Sequence, residues 1–344
     1  MIAPIDGTPA ARAGIKPGDV IIKINGKLTD GMSLKDVVDA LRGPAGNAVE
    51  LTIARRGTNP FDVRLARAII HVASVKWRLE PGHVGYARVT TFADKTEAEL
   101  LDAIERMERG AGGRLNGFVL DLRNDPGGLL DQAVEVAGDF LDGGIVVSTR
   151  GRDAEDNHIY RARRAGDRLN GVPMVVLING ASASASEIVA GALQDRHRAT
   201  LLGTRSFGKG SVQTIIPLDG HGALRLTTAR YYTPSGRSIQ AHGIEPDLVV
   251  EAPKSELTAA AETLREADLR GALDTGTATA AKSDGAAPAT GSERATAAAD
   301  ESGSIDPTLI GTAKDTQLAR ALVALRALGP DPRVTRNAAQ PRTR

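Results

Sequence analysis

The sequence predicts an α/β protein that is preceded by a small mixed domain. Two patterns carry this prediction. Between about residues 70 and 253, short apolar strands alternate with amphipathic helices, for example a strand at 117–122 and a helix at 129–141. Such alternation is typical of an α/β core. Residues 1–67 instead combine glycine-containing turns with alternating strands and one short helix that begins after Ser33.

The composition allows a sizeable core and excludes several kinds of functional site. Hydrophobic residues make up 41% of the 344 residues but aromatic residues only 3%, so aliphatic side chains must fill the core. Lys and Arg together number 43 and Asp and Glu 42, a balance that gives no basic surface for nucleic acid. There are no cysteines, which excludes disulfides, thiolate zinc sites and cysteine nucleophiles.

The sequence after the predicted core changes character twice. Residues 254–274 are predicted as a helical extension, and residues 275–304 are dominated by Ala, Thr, Gly, Ser and Asp, which is typical of a disordered linker. In the last segment, 305–344, apolar periodicity predicts a helix at 315–328 that docks on the core or on another subunit, followed by a tail. No secretory signal is visible at the N-terminus, and no apolar run is long enough to span a membrane.

Three serines stand where a predicted buried strand gives way to a helix. Ser182, Ser184 and Ser186 alternate with alanines there. A serine at a helix start faces the positive end of the helix dipole and free backbone N–H groups, which suits a nucleophile and one half of an oxyanion hole. The same segment also has a structural explanation, because Ser184 and Glu187 have the spacing of a capping box. Taken alone, the segment favours the structural explanation.

A lysine in a glycine-flanked loop shifts the balance towards catalysis. Lys209 lies between Gly208 and Gly210. A lysine that is desolvated near a helix N-terminus has a lowered pKa, and in its neutral form it can accept the proton of a serine. Gln213 could orient the lysine amine. Asp195 closes the helix that begins after Ser184 and is explained equally well as a structural residue.

A second glycine-rich turn offers further backbone donors. The predicted strand that ends at Asp121 leads into a Pro126-Gly127-Gly128 turn, whose N–H groups could complete an oxyanion hole. A turn of this composition is usually only a turn.

Two other kinds of site are disfavoured by the same residues. The run at 203–209 matches G-x-x-x-x-G-K, but Gly210 stands where a P-loop needs Ser or Thr, and the Asp-ending strand precedes it instead of following it. The six histidines show no metal-binding spacing and no nearby G-x-S-x-G motif. A nucleotide-hydrolysing site and a Ser-His-Asp mechanism are therefore not expected.

Together these segments resemble the C-terminal processing (tail-specific) serine proteases. That family has a serine in an S-A-S-A-S-E-I helix start and a lysine in an F-G-K-G loop 25 residues later, which is the spacing from 184 to 209 here. The resemblance selects Ser184 as the nucleophile and Lys209 as the general base. It covers residues 1–270 and returns at the last helix, and it implies supporting roles for Gln213 and Asp195.

The resemblance also implies an oxyanion hole and a reaction without cofactors. The amide of Ala185 would pair with that of Gly127 or Gly128 to bind the oxyanion. Neither a metal nor a nucleotide is expected.

The same resemblance implies the domain architecture and the partners. The expected core at 68–253 is a crotonase-like protease fold, and residues 1–67 resemble a PDZ domain, truncated at its N-terminus because the family's Gly-rich carboxylate-binding loop precedes this sequence. PDZ domains bind peptide C-termini by strand addition. The implied function is cleavage of proteins near apolar C-termini in the bacterial envelope or periplasm, with an adaptor or activator protein and homo-oligomers as further partners. The rival hypothesis is a peptide-binding scaffold in which Lys209 is not aligned with Ser184.

Overall fold

The chain divides between Ala73 and Ser74 into two units. The computed structural model describes residues 8–15, 19–55, 57–69, 73–153, 155, 157–164, 166–218, 222–257, 265–269, 273 and 304–328. The boundary falls shortly after residue 67, where the sequence predicts the first domain to end. Except for Ser304, the predicted linker at 275–304 lies outside the described residues, as does the tail at 329–344.

The first unit is a four-stranded antiparallel sheet with two short helices. Its elements are α1 (Pro9–Arg12), β1 (Val20–Ile24), β2 (Lys27–Leu28), α2 (Leu34–Leu41), β3 (Ala48–Ala54) and β4 (Phe61–Ala66), with the strands in the order β2-β1-β3-β4. Ser33 caps α2 by accepting a hydrogen bond from the amide of Asp36. Val49, Leu51 and Ile53 alternate along β3 into a small apolar core, because successive side chains of a strand point to opposite faces.

The second unit contains two sheets and four α-helices among its described residues. In chain order the elements are β5 (Val75–Glu80), β6 (Val84–Val89), α3 (Thr96–Gly110), β7 (Gly117–Asp121), α4 (Leu130–Gly138), β8 (Ile145–Gly151), β9 (His158–Arg161), β10 (Met174–Ile178), α5 (Ala185–Asp195), β11 (Thr200–Gly203), β12 (Ser211–Leu218), β13 (Gly222–Tyr232), β14 (Leu248–Val249) and α6 (Thr316–Leu328).

The central sheet has the order β14-β11-β10-β7-β6-β5, and only β5 runs antiparallel to its neighbour. Every residue of β6, β7 and β10 is buried, as expected for parallel strands with both faces covered. One face packs against α3, α4 and α5, and the opposite face packs against α6. The predicted α/β class is therefore confirmed.

The smaller sheet has the order β12-β13-β8-β9. β12 and β13 form a long hairpin that pairs along its whole length, whereas β8 joins β13 only near the base of the hairpin. β12 begins two residues after Lys209, so the hairpin starts at the predicted catalytic loop.

The C-terminal helix α6 lies within the segment predicted as helical and packs on the core of its own chain. The predicted helical extension at 254–274 differs from the structure, where the described residues form two single 3-10 turns, Lys254–Glu256 and Glu266–Asp268. The first turn is tied to the start of α6, because Glu256 accepts a hydrogen bond from the Thr316 hydroxyl. No helix within the described ranges has the length and apolar character needed to cross a membrane.

Candidate active site

Ser184 occupies a strained position between β10 and α5. Its φ is +57° and its ψ is −112°, a conformation that residues with a side chain rarely adopt. Such a backbone conformation costs about 1–3 kcal/mol and persists only where its surroundings hold it. Strain of this kind is concentrated at functional sites, which supports a functional role for Ser184 more than a purely structural one.

The carboxylate of Glu187 holds the serine and lysine segments together. It accepts hydrogen bonds from the amide of Ser184 at 2.8 Å, the amide of Gly208 at 2.7 Å, the amide of Lys209 at 2.9 Å and the hydroxyl of Ser206 at 2.5 Å. The amides of Ser184 and Lys209 donate to the same oxygen, Oε2. The backbones of the two predicted catalytic residues are thus fixed to one side chain.

Burial strongly affects the titration of this carboxylate. Glu187 is 0% exposed, and its desolvation raises the pKa to about 7, although the four donors act in the opposite direction. Protonation would convert one acceptor position of the carboxylate into an O–H donor, and that donor would point at one of the four groups that now donate to Glu187. The complete set of four hydrogen bonds therefore requires the ionised form.

The side chains of Lys209 and Gln213 are not joined to Ser184 or to each other by hydrogen bonds among the described residues. Lys209 is half-buried, and no hydrogen bond in the described part of the chain joins its Nζ to the hydroxyl of Ser184. Gln213 is exposed on β12, immediately after a bulge between Val212 and Gln213, and its carboxamide makes no hydrogen bond to Lys209. The fold brings the backbones of the serine and lysine segments together through Glu187.

The Pro-Gly-Gly turn lies directly against the serine. Gly127 has a φ of +95°, and a Cβ added there would lie 2.6 Å from the carbonyl oxygen of Ala183 and 2.8 Å from both the amide nitrogen of Ala185 and the Cβ of Ser184. Only glycine fits this contact. The carbonyl of Asp125 also accepts hydrogen bonds from the amide of Ala183 at 3.0 Å and from the hydroxyl of Ser186 at 3.1 Å, so three contacts join the turn to the start of α5.

The amides around the turn are not equivalent. The amide of Gly127 donates to Oδ1 of Asp125 at 2.8 Å and is therefore occupied. Among the described residues, the amides of Gly128 and Ala185 have no acceptor. Of the two glycines considered in the sequence, Gly128 is thus the one whose amide is not already bonded among the described residues.

Asp125 is a second buried carboxylate at the site. Burial raises its pKa to about 7, while the bond from the amide of Gly127 lowers it in part. Its other oxygen, Oδ2, is buried without a hydrogen-bond partner among the described residues. Asp125 therefore shapes the turn but is only half satisfied.

Asp195 lies at the other end of α5, away from these contacts. Its carboxylate accepts a hydrogen bond from the amide of Ser235 at 2.8 Å and forms an ion pair with Arg237. Burial acts to raise the pKa of Asp195, but hydrogen bonds from Thr233 and Ser235 together with the charge of Arg237 lower it overall. These contacts fix a loop to the helix end, which is the structural alternative that the sequence left open.

Sequence reasoning missed the roles of Glu187 and Asp125. The S-x-x-E spacing identified Glu187 as a capping residue, and its bond to the amide of Ser184 is present. Its partners at 206, 208 and 209 come from a different loop, and sequence spacing contains no signal for that contact. Asp125 could be suspected only from its place beside the glycine turn.

Comparisons with known proteins give two family models and bacterial protease relatives that match this chain. A model of peptidase family S41 matches residues 83–250, and a PDZ domain model matches residues 2–55. A carboxy-terminal-processing protease of Bartonella bacilliformis is 54% identical over 274 residues, which are 79% of this chain and 63% of that protein. A probable CtpA-like serine protease of Staphylococcus aureus strain COL is 40% identical over 256 residues, 74% of this chain and 50% of that protein.

One solved structure matches this chain beside these relatives. The photosystem II D1 C-terminal processing protease is 36% identical and aligns with 73% of this chain and 68% of its own, with a TM-score of 0.47. The chain spans between half and two thirds of the length of the two bacterial relatives described above.

Proposed function

The chain belongs to peptidase family S41, the family of C-terminal processing serine proteases, and we propose that it is a serine endopeptidase that cleaves protein substrates near their C-termini. Ser184 is the proposed nucleophile and Lys209 the proposed general base. The observation that carries the proposal is the Glu187 carboxylate, which holds the backbones of both residues at one point. The contact of Gly127 with Ser184 supports the same assignment.

The proposed reaction is an acyl transfer in two halves. The hydroxyl oxygen of Ser184 attacks the scissile carbonyl carbon, and its proton passes to the neutral amine of Lys209. The negative oxygen of the tetrahedral intermediate accepts hydrogen bonds from the amides of Ala185 and Gly128. The C–N bond then breaks, and the Lys209 ammonium returns the proton to the leaving amine.

Hydrolysis of the acyl-enzyme repeats these steps with water. Water gives a proton to Lys209 as it attacks the ester carbonyl, the C–O bond to Ser184 breaks, and the proton returns to the serine oxygen. The role proposed for the side chain of Gln213 is to orient the Lys209 amine when substrate is bound. Catalytic hydrogen bonds are often made only in the substrate complex, which is consistent with the separate side chains of Ser184 and Lys209.

Substrate choice, partners and location are part of the proposal. The PDZ match at residues 2–55 supports recognition of peptide C-termini, for which apolar tails are the proposed class. An adaptor or activator protein and a second copy of the chain are proposed as further partners. The proposed place of action is the bacterial cell envelope or periplasm, which the resemblance to the C-terminal processing proteases implies; the relatives named above are bacterial proteins.

The test is hydrolysis of an unstructured protein such as casein. We expect cleavage by the unaltered protein and a loss of about 10³-fold or more in both Ser184→Ala and Lys209→Ala. Lys76→Ala, at an exposed lysine of β5, is the matched control and should retain full activity. A fluorophosphonate should label one peptide, the one that contains Ser184.

Two outcomes would contradict the proposal. Activity that persists in Ser184→Ala would require another nucleophile. Absence of both cleavage and fluorophosphonate labelling in the unaltered protein would favour the peptide-binding scaffold, since Lys209 and Ser184 would then not act together.

A further inference from the structure

A fully buried arginine joins the end of β7 to the beginning of α6. Arg123 donates to both oxygens of Asp121, at 2.9 and 2.6 Å, and to both oxygens of Asp315, at 2.9 and 2.6 Å. It donates as well to the side-chain oxygen of Gln317 at 3.0 Å. The Arg123 side chain is 0% exposed, and the two carboxylates are 0% and 1% exposed. The C-terminal segment thus accepts three of these five hydrogen bonds of the buried guanidinium group.

The next residue of the chain makes a second link to the same segment. Asn124 donates from its carboxamide to the carbonyl of Ile305 at 2.6 Å and accepts from the amide of Ile305 at 3.2 Å. Its backbone has a φ of +57°. The carboxamide of Asn179 donates to Asn124 at 2.7 Å, and the amide of Asn124 donates back at 3.0 Å.

These contacts act immediately before the turn that faces the serine. Arg123 and Asn124 lead directly into Asp125, Gly127 and Gly128. The path of the turn is therefore fixed on one side by the loop that contains Asn179 and on the other by residues from the far end of the chain. Removing the contacts from the C-terminal segment would release the turn on that side and leave it held on the other by the loop that contains Asn179.

Apolar packing also attaches α6 to the central sheet. Leu318, Ala321 and Leu325 are buried against the central sheet. A buried ion pair adds little stability compared with apolar side chains of the same size, but its hydrogen bonds require one geometry. The cost of placing Arg123, Asp121 and Asp315 in the interior is therefore better explained by a need to fix the end of β7 than by attachment of the helix.

We propose that the C-terminal segment 304–318 is a positioning element of the active site, in which Asp315 and the backbone of Ile305 hold Arg123 and Asn124 so that the amide of Gly128 faces the oxyanion. This inference rests on the proposed protease function. Asp315 touches neither substrate nor reacting atoms, so it is a positioning residue. The segment acts on turnover through the turn and not through substrate binding.

The decisive variant is Asp315→Asn in the full chain. Asparagine keeps the size of the side chain and can still cap α6, where Asp315 now accepts from the amide of Leu318 at 2.9 Å. The substitution removes the negative charge next to Arg123 and one of the two oxygens that accept its hydrogen bonds. We expect kcat on casein or a peptide substrate to fall by about 10- to 100-fold with little change in KM, because loss of an oxyanion donor acts on the transition state.

The matched control is Leu325→Ala on the same helix. Leu325 is buried but packs near Gly117, at the opposite end of β7 from the turn. This variant should lower the melting temperature while kcat, measured well below that temperature, stays unchanged. Asn124→Gly is the second variant, because glycine accepts a positive φ. It removes the side-chain hydrogen bonds to Ile305 and from Asn179 but keeps the backbone amide that donates to Asn179. It should reproduce the kcat defect if Asp315→Asn does not fold.

Amide hydrogen exchange gives a readout that does not depend on catalysis. In Asp315→Asn and Asn124→Gly, the peptide that covers residues 122–130 should exchange about tenfold faster or more, and in Leu325→Ala this local change should be absent. Equal kcat and equal exchange of this peptide in Asp315→Asn and Leu325→Ala would overturn the proposal. If the unaltered protein is inactive, the proposed function fails separately, and exchange at the turn still decides whether the segment positions it.

Discussion

Two buried carboxylates, Glu187 and Asp125, belong to the two segments that meet at Ser184, and they are satisfied very differently. Glu187 accepts four hydrogen bonds from two separate parts of the chain. Asp125 accepts one from the amide of Gly127 and leaves Oδ2 without a partner among the described residues. Burial raises the pKa of both to about 7.

The difference indicates that the two sides of the site are fixed in different ways. On the serine and lysine side, one ionised carboxylate determines where both backbones lie. On the side of the glycine turn, a close contact at Gly127 and the contacts of Arg123 and Asn124 hold the backbone, and the side chain of Asp125 accepts from one amide. Glu187 should therefore be much more sensitive to substitution than Asp125.

The largest effect is expected for Glu187→Gln. An amide side chain has one acceptor oxygen in place of two and adds donors, so at least two of the four N–H and O–H groups would be left without acceptors in the interior. We expect a loss of stability of about 3 kcal/mol or more and a fall in turnover of at least about 100-fold. Chemical denaturation and casein hydrolysis measure the two effects, and Glu105→Gln on the exposed face of α3 should change neither.

The same variant tests the direction in which the stability contributed by Glu187 changes with pH. Because the pKa of Glu187 is raised to about 7 from an ordinary value of 4.5, the folded protein retains a proton that the unfolded chain releases between these values. The contribution of Glu187 to stability is fully present below pH about 4.5 and declines as the pH rises to about 7. The difference in unfolding free energy between the unaltered protein and Glu187→Gln should therefore decrease across this pH window, by at most about 3 kcal/mol. A difference that increases with pH would contradict the raised pKa of Glu187.

A smaller effect is expected for Gly127→Ala. The new methyl group would overlap the carbonyl oxygen of Ala183 and the Cβ of Ser184, so the turn must move away from the serine. We expect turnover to fall by about 10²-fold, with a stability loss of about 2 kcal/mol. Gly82→Ala is the matched control, since Gly82 has a similar φ of +84° but open space around the added Cβ. It should cost about 1 kcal/mol and leave turnover unchanged; equal turnover in the two variants would remove the turn from the active site.

The smallest effect is expected for Asp125→Asn. The carboxamide oxygen can still accept from the amide of Gly127, while the charge next to the partnerless Oδ2 is removed. Above pH about 7 we expect stability to change by less than about 1 kcal/mol, or to increase, and turnover to fall less than in Glu187→Gln. A defect as large as that of Glu187→Gln would show that Asp125 takes a direct part in the reaction.

Much of the fold was predictable from local patterns. The alternation along β3 and the apolar runs of β7 and β10 appear in the sequence because burial requires apolar residues at a period set by the strand itself. Ser33 predicted its helix start for a similarly local reason. The described residues of 254–274 differ from the predicted helix, since they bond to distant parts of the chain: Glu256 to Thr316 at the start of α6, and Glu266 to Phe207 and Gln240.

What the sequence by itself determined about this protein is its α/β class, its family and a short set of candidate residues, because strand and helix periods and the S-A-S-A-S-E-I and F-G-K-G motifs are local along the chain. Only the tertiary structure decided which carboxylate joins the serine to the lysine loop, which glycine amide of the turn is already bonded, and that Ile305 and Asp315 contact the two residues before the turn. These contacts bring together residues far apart in the sequence, and no periodic pattern records which distant groups will share one buried hydrogen bond.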